Sequence, residues 1–169
     1  MPATGPAARP HIVYLHSHDT GRYVRPYGHA VDTPNIQRLA EEGVVFRQAF
    51  AAAPTCSPSR AALLTGQSSH GAGMLGLAHR GFALRDPRQH LAHVLRDAGY
   101  RTVLTGMQHV WMGDQRQVGY AEDLRPPSSI AADVAPVAVD VIREHGRRAA
   151  AVPLFLDVGF EETHRPFPE

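Results

Sequence analysis

His11-Ile12-Val13-Tyr14-Leu15-His16 is a short, largely apolar run that passes directly into the polar turn Ser17-His18-Asp19-Thr20-Gly21. A run of this length bounded by turn residues reads as a buried strand. The elements after this strand set the fold class. Thr33-Pro34 offers an N-cap with proline at the first helical position, Ile36, Leu39 and Ala40 share one helix face, and Gly43 suits the C-cap. Val44 through Phe50 reads as a second strand. After an Ala/Pro turn, Ser57 or Ser59 is expected to cap a short helix toward Leu64. Leu91, Val94, Leu95 and Ala98 mark another helix closed by Gly99, and Arg101–Thr105 is a strand. From a cap at Asp133, the residues Val134, Val137, Ala138, Val141 and Ile142 have helical spacing up to Gly146, with Pro136 in the first turn. Val152–Phe160 is a long apolar run, expected as a central strand.

Apolar strands alternating with amphipathic helices imply an α/β fold: a mostly parallel central sheet sandwiched by helices. Ligands of such sheets gather beyond the carboxyl ends of the strands. Three polar clusters fall there: Ser17–Gly21, Thr105–His109 and Glu161–His164.

Composition narrows the classes. The chain has 169 residues, 43% apolar and 20% charged, as expected of one globular domain. Its 17 Lys and Arg against 16 Asp and Glu leave a net charge of +1, so no nucleic-acid or membrane-surface partner is indicated. Residues 1–9 read as a disordered Ala/Pro/Gly-rich leader and 10–169 as the domain. The leader lacks the basic and apolar regions of a secretory signal, so the expectation is cytoplasmic.

Cys56 is the single cysteine, which closes the intramolecular disulfide reading. It opens Cys56-Ser57-Pro58-Ser59-Arg60-Ala61-Ala62-Leu63-Leu64-Thr65-Gly66. A helix starting here offers unpaired N–H groups to an anion, and Arg60 stands one turn further in. The run resembles the signature of the formylglycine-dependent sulfatases, Cys-x-Pro-Ser-Arg-x-x-x-Leu-Thr-Gly, at every fixed position. Pro10–Val13, Thr33–Gly43 and Phe46–Ala52 also resemble the start of a sulfatase domain of the alkaline-phosphatase-like superfamily. Gly73–Leu77, Gly106–Val110 and Phe160–Arg165 are most similar to the sulfamidase (N-sulfoglucosamine sulfohydrolase) branch.

The resemblance implies roles. Cys56 is the precursor of formylglycine, whose hydrate is the nucleophile, and a formylglycine-generating enzyme is its implied partner. Arg60 holds that group. His18-Asp19-Thr20-Gly21 matches the Asp-Asp-x-Gly metal motif with His18 at the first aspartate. The metal ligands are then Asp19, the modified Cys56 and His18. Ca²⁺ is the first expectation, while an imidazole suits Mn²⁺ or Zn²⁺ better. His109 matches a histidine that holds formylglycine or the sulfate, with Met107 where a lysine is usual. His164 matches the general acid beside the leaving group. Arg165 is a substrate anchor at the rim. The substrate class is a sulfated small molecule or sugar.

The family's later Asp-Asn metal segment is missing, so the chain reads as the N-terminal part of a larger enzyme, weakly active or inactive alone. Two alternatives stand beside the sulfatase reading: a phosphonate or phosphate ester hydrolase of the same superfamily, and a non-catalytic remnant.

Overall fold

A computed structural model describes residues 9–148 and 152–167. The first eight residues of the expected leader and the last two residues lie outside the described residues. One four-stranded sheet runs through the molecule in the order β1-β4-β2-β3. Its strands are β1 (Ile12–Ser17), β2 (Arg101–Gly106), β3 (Glu122–Asp123) and β4 (Leu154–Phe160). Every pairing is parallel, so each connection has to cross back over the sheet. Helices α1 (Pro34–Glu42), α2 (Cys56–Thr65), α3 (Ser69–Ala72) and α4 (Leu91–Asp97) follow β1. Helix α5 (Ala131–Arg147) returns the chain to β4.

β4 is central, as its apolar run predicts, and its two faces supply two cores. Phe155 packs with Leu104, Tyr120, Ala61 and Leu64 of α2, and Ala92 of α4. Leu154, Leu156 and Val158 pack with Val103 and with Val134, Ala138 and Val141 of α5. The helices therefore sandwich the sheet. β1 is covered on the first face only. Ile12 and Tyr14 join the α2 core, while Val13 and Leu15 are 51% and 57% exposed.

Four local expectations are corrected. Val44–Phe50 is not a strand: the backbone is irregular, Phe50 is 89% exposed, and the Phe46 carbonyl accepts from the Tyr27 hydroxyl at 2.8 Å. Apolar spacing makes a strand only where a neighbour takes up the backbone groups. Neither Ser57 nor Ser59 caps α2, which starts at Cys56 after an extended Thr55. The Ser57 hydroxyl is buried and accepts from the Ala78 N–H at 3.1 Å instead. Thr33 does precede α1, but its hydroxyl accepts from the Arg25 N–H at 3.0 Å rather than capping the helix. Helix α5 begins two residues before Asp133, at Ala131, whose N–H is taken by Glu162, and it runs through Gly146 to Arg147. Pro136 thus sits inside the helix, where its missing N–H leaves the Ala132 carbonyl without its usual donor.

β3 was not legible in the sequence, because two residues carry no periodicity. It is pinned from the side: the Arg101 guanidinium donates to Glu122 at 2.6 Å and to Glu144 at 3.1 Å. Among the described residues, no helix is long and apolar enough to cross a membrane.

Candidate active site

The three polar loops meet at the carboxyl end of the sheet. His16, Gly159 and Gly106 stand side by side on β1, β4 and β2. Gly106 has φ +75°, and a Cβ there would lie 1.9 Å from the Gly159 carbonyl oxygen. Only glycine permits this closeness, which draws the loop after β2 toward that after β4. Asp19, His109 and Thr163, one in each loop, adopt left-handed backbone at φ 54°, 58° and 74°. Such residues cost about 1–2 kcal/mol each and persist where their surroundings hold them. The Thr163 hydroxyl lies 2.8 Å from that of Thr20 and donates to the His18 carbonyl, tying the first loop to the last.

An open cleft of about 730 Å³ is lined by Ser17, His18, Asp19, Cys56 and Arg60, among others. Cys56 is the first residue of α2, beside the helix's unpaired N–H groups. Arg60 follows four residues later and so shares its face. The Arg60 guanidinium donates to His16 Nδ1 at 2.6 Å and to the Ser17 carbonyl at 3.3 Å. His16 Nε2 lies 2.9 Å from Asp157 Oδ1, and the Tyr120 hydroxyl donates to Asp157 Oδ2. Asp157 and Tyr120 are fully buried. Burial first, and then the Asp157 charge, pushes the Tyr120 phenol well above its ordinary pKa, so it stays a donor.

His18 differs from His16 in every respect. Its ring is buried, and neither nitrogen has a hydrogen-bond partner. The rings of His109 and His164 each stand 5.5 Å away. Burial, followed by the charge of Arg60 and by His109, lowers the His18 pKa to about 3, which makes it a neutral imidazole at pH 7. His109 also lines a second cleft of about 560 Å³ with Met107 and Trp111. Its Nε2 is 3.3 Å from Nδ1 of His79, and its own Nδ1 is buried without a partner. Burial and then His79 lower its pKa. His164 Nε2 lies 3.9 Å from Asp19 Oδ2. Arg165 is exposed, with its guanidinium 5.9 Å above the Phe167 ring.

The structure therefore brings Cys56, Arg60, His18 and Asp19 to one cleft, with His109 and His164 joined to it through His18. Arg165 lines neither cleft. Among the described residues, no three His, Cys, Asp or Glu side chains are grouped to hold an ion. His18 turns its ring toward His109 and His164, while the Asp19 side chain is 58% exposed. Ca²⁺ requires about six or more oxygens, which this donor set does not supply.

Four residues of the site escaped the sequence reading: His16, Tyr120, Asp157 and His79. Asp157 left a signal, a lone carboxylate inside the apolar run 152–160, since buried charges are rare unless partnered.

A parallel α/β sheet with a cysteine-led helix and a histidine cluster at its carboxyl end defines the class: an α/β fold with a candidate site beyond the ends of its strands. Likeness to known proteins gives this class its family. The Sulfatase family model matches residues 10–168, and the chain belongs to that family. It is 33% identical to human N-sulphoglucosamine sulphohydrolase over 143 residues, covering 80% of this chain and 28% of that protein. It is 42% identical to human Arylsulfatase H over 114 residues, covering 61% of this chain and 20% of that protein. The chain thus spans between a fifth and about a quarter of the length of these relatives. The fold is shared with Ps i-CgsB, solved in complex with k-i-k-neocarrahexaose, at a TM-score of 0.79 and 22% identity over 94% of this chain and 46% of that one. It is also shared with BT4656, solved with its substrate D-glucosamine-2-N,6-O-disulfate, at a TM-score of 0.72 and 22% identity over 93% and 35%.

Proposed function

We propose that this chain supplies the nucleophile-bearing part of a centre that hydrolyses a sulfate ester or sulfamate, with a sulfated sugar as the substrate class. The observation that carries the reading is the placement of Cys56 and Arg60 on one face at the start of α2, in the cleft lined by His18 and Asp19. The names of two relatives support the substrate class: one is a sulphohydrolase of N-sulphoglucosamine, and one structure holds a disulfated glucosamine.

Formylglycine, if made from Cys56 by a formylglycine-generating enzyme, would stand at the start of α2 beside Arg60 and would supply, as its hydrate, the oxygen nucleophile toward sulfur. Around it the chain's own groups divide the work. Arg60 and the first N–H groups of α2 hold the negative oxygens. His109 orients a sulfate oxygen through its unpartnered Nδ1. His164 passes a proton to the leaving oxygen or nitrogen as its bond to sulfur breaks, a contribution worth about 10²–10⁴-fold. Arg165 holds substrate at the rim. No step is assigned to a metal.

Co-expression with a formylglycine-generating enzyme, followed by peptide mass spectrometry, tests the precursor role. Cys56 is expected to lose its sulfur, and Cys56→Ala to abolish hydrolysis of 4-nitrophenyl sulfate. Turnover that survives Cys56→Ala refutes the reading. Met107, which leaves the site without the usual lysine charge, favours one second reading: a phosphonate or phosphate ester hydrolase. Faster turnover of a phosphonate monoester than of the sulfate would select it.

A further inference from the structure

We infer that His16, Asp157 and Tyr120 form a buried relay that sets the direction of Arg60. The three are positioning residues for a guanidinium that lines the same cleft as Cys56. The inference rests on the sulfatase reading for its use but not for its geometry.

Hydrogen-bond chemistry leaves one assignment. A guanidinium has donors only, so His16 Nδ1, 2.6 Å from Arg60 Nη1, has to accept. The proton of His16 therefore resides on Nε2, which donates to Asp157 Oδ1 at 2.9 Å. The second carboxylate oxygen accepts from Tyr120, whose raised pKa keeps its proton in place. The direction of every bond is set, from guanidinium to imidazole to carboxylate and from phenol to carboxylate. The relay is anchored in rigid structure. His16 and Asp157 come from paired strands β1 and β4, where Tyr14 opposes Asp157 and His16 opposes Gly159. Gly159 leaves room for the imidazole, since a Cβ there would lie 2.6 Å from His16 Cε1. Tyr14 stacks on the other side of the ring, with centroids 4.5 Å apart. The Asp157 carboxylate also lies opposite in charge to Arg60 at the far end of the relay, so the ion pair is made through an imidazole rather than directly.

The consequence is specific. One edge of Arg60 is occupied by His16 and the Ser17 carbonyl, and Arg60 lines the same cleft as Cys56. Arginine side chains are otherwise free to rotate, and a fork held on one edge binds a sulfate oxygen with less ordering cost.

The test uses the full chain and inorganic sulfate as probe. Long-range ¹H–¹⁵N NMR reads the His16 tautomer directly, and Nε2–H is expected. Glutamine at this position can accept from Arg60 and donate to Asp157, so His16→Gln is expected to keep the sulfate Kd within about 3-fold. His16→Leu keeps the bulk and loses both bonds, and is expected to weaken sulfate by about 10- to 100-fold, the scale seen when partners orienting a ligand-holding group are removed. In an Arg60→Met background His16→Leu is expected to add nothing further, which a merely structural role for His16 would not produce. An Nδ1–H tautomer, or equal losses in the Gln and Leu variants with Arg60 present, overturns the relay. A Cys56 that stays a thiol on co-expression with a formylglycine-generating enzyme, in a chain with the Nε2–H tautomer and the Gln rescue, overturns the sulfatase reading and leaves the relay standing.

Discussion

His16 and His18 are neighbours but one in the chain, yet they belong to opposite kinds of polar cluster. Around His16 both ring nitrogens have partners, and so do both carboxylate oxygens of Asp157. Around His18 the ring nitrogens have none, and His109 adds a third unpaired nitrogen beside them. Buried polar groups are almost always satisfied, and a complete network fixes geometry. An incomplete one costs stability until a ligand supplies the missing partner. The first cluster reads as framework and the second as the receiving surface, and the difference arises from strand pairing. His16 lies within β1 and faces the interior core, whereas His18 lies past its end, where three loops converge.

The sharpest way to break this contrast is to remove the hub of the satisfied cluster. Asp157→Ala strands the His16 N–H and the Tyr120 hydroxyl, and at roughly 1–3 kcal/mol for each unpaired group should cost about 2–6 kcal/mol in urea unfolding. Tyr120→Phe removes one donor and should cost about 1–3 kcal/mol. An Asp157→Ala chain as stable as the parent would show the cluster is not framework.

The unsatisfied cluster makes the opposite prediction. The folded pKa of His18, about 3, lies below its ordinary 6.5. Neutral His18 therefore contributes stability that is full above about pH 6.5 and is lost as pH falls toward about 3. His18→Phe should flatten that acid limb without lowering the melting temperature at pH 7, because it removes two stranded nitrogens. Thermal melts across this pH range decide it, and an unchanged acid limb would show that His18 is not the group responsible. The smallest effect belongs to Phe50→Ser. This residue lies on the 44–50 segment, and calorimetry should find a change within about 0.5 kcal/mol, the range of exposed positions outside special features. A larger loss would restore the packed strand that the sequence suggests.

Much of the frame was readable from residue pattern. The run 152–160 announced a central strand because a strand buried on both faces has no polar alternation to hide it. The polar residues following the strands at 16, 105 and 160 announced where a ligand belongs. Gly43 and Gly99 marked helix ends correctly. Segment 44–50 misled for the converse reason: its apolar residues find no sheet neighbour among the described residues. Asp133 misled as well, since the cap it offers lost to Glu162, a group far away in sequence. In the site, Cys56 and Arg60 could be paired from their spacing on one helix. His16, Asp157 and Tyr120 could not, because they are separated by 141 and 37 positions and meet only through strand order.

The local frame was thus written in the chain: the family, the helix that opens near Cys56, and the parallel α/β class. These depend on neighbours within a turn or a strand, where covalent geometry already fixes the distances. The side of the sheet on which each histidine falls, and which of them is satisfied, were decided by tertiary packing. Hydrogen-bond partnership acts over about 3 Å, and that separation between β1, β4 and the Tyr120 loop exists only once the sheet has closed.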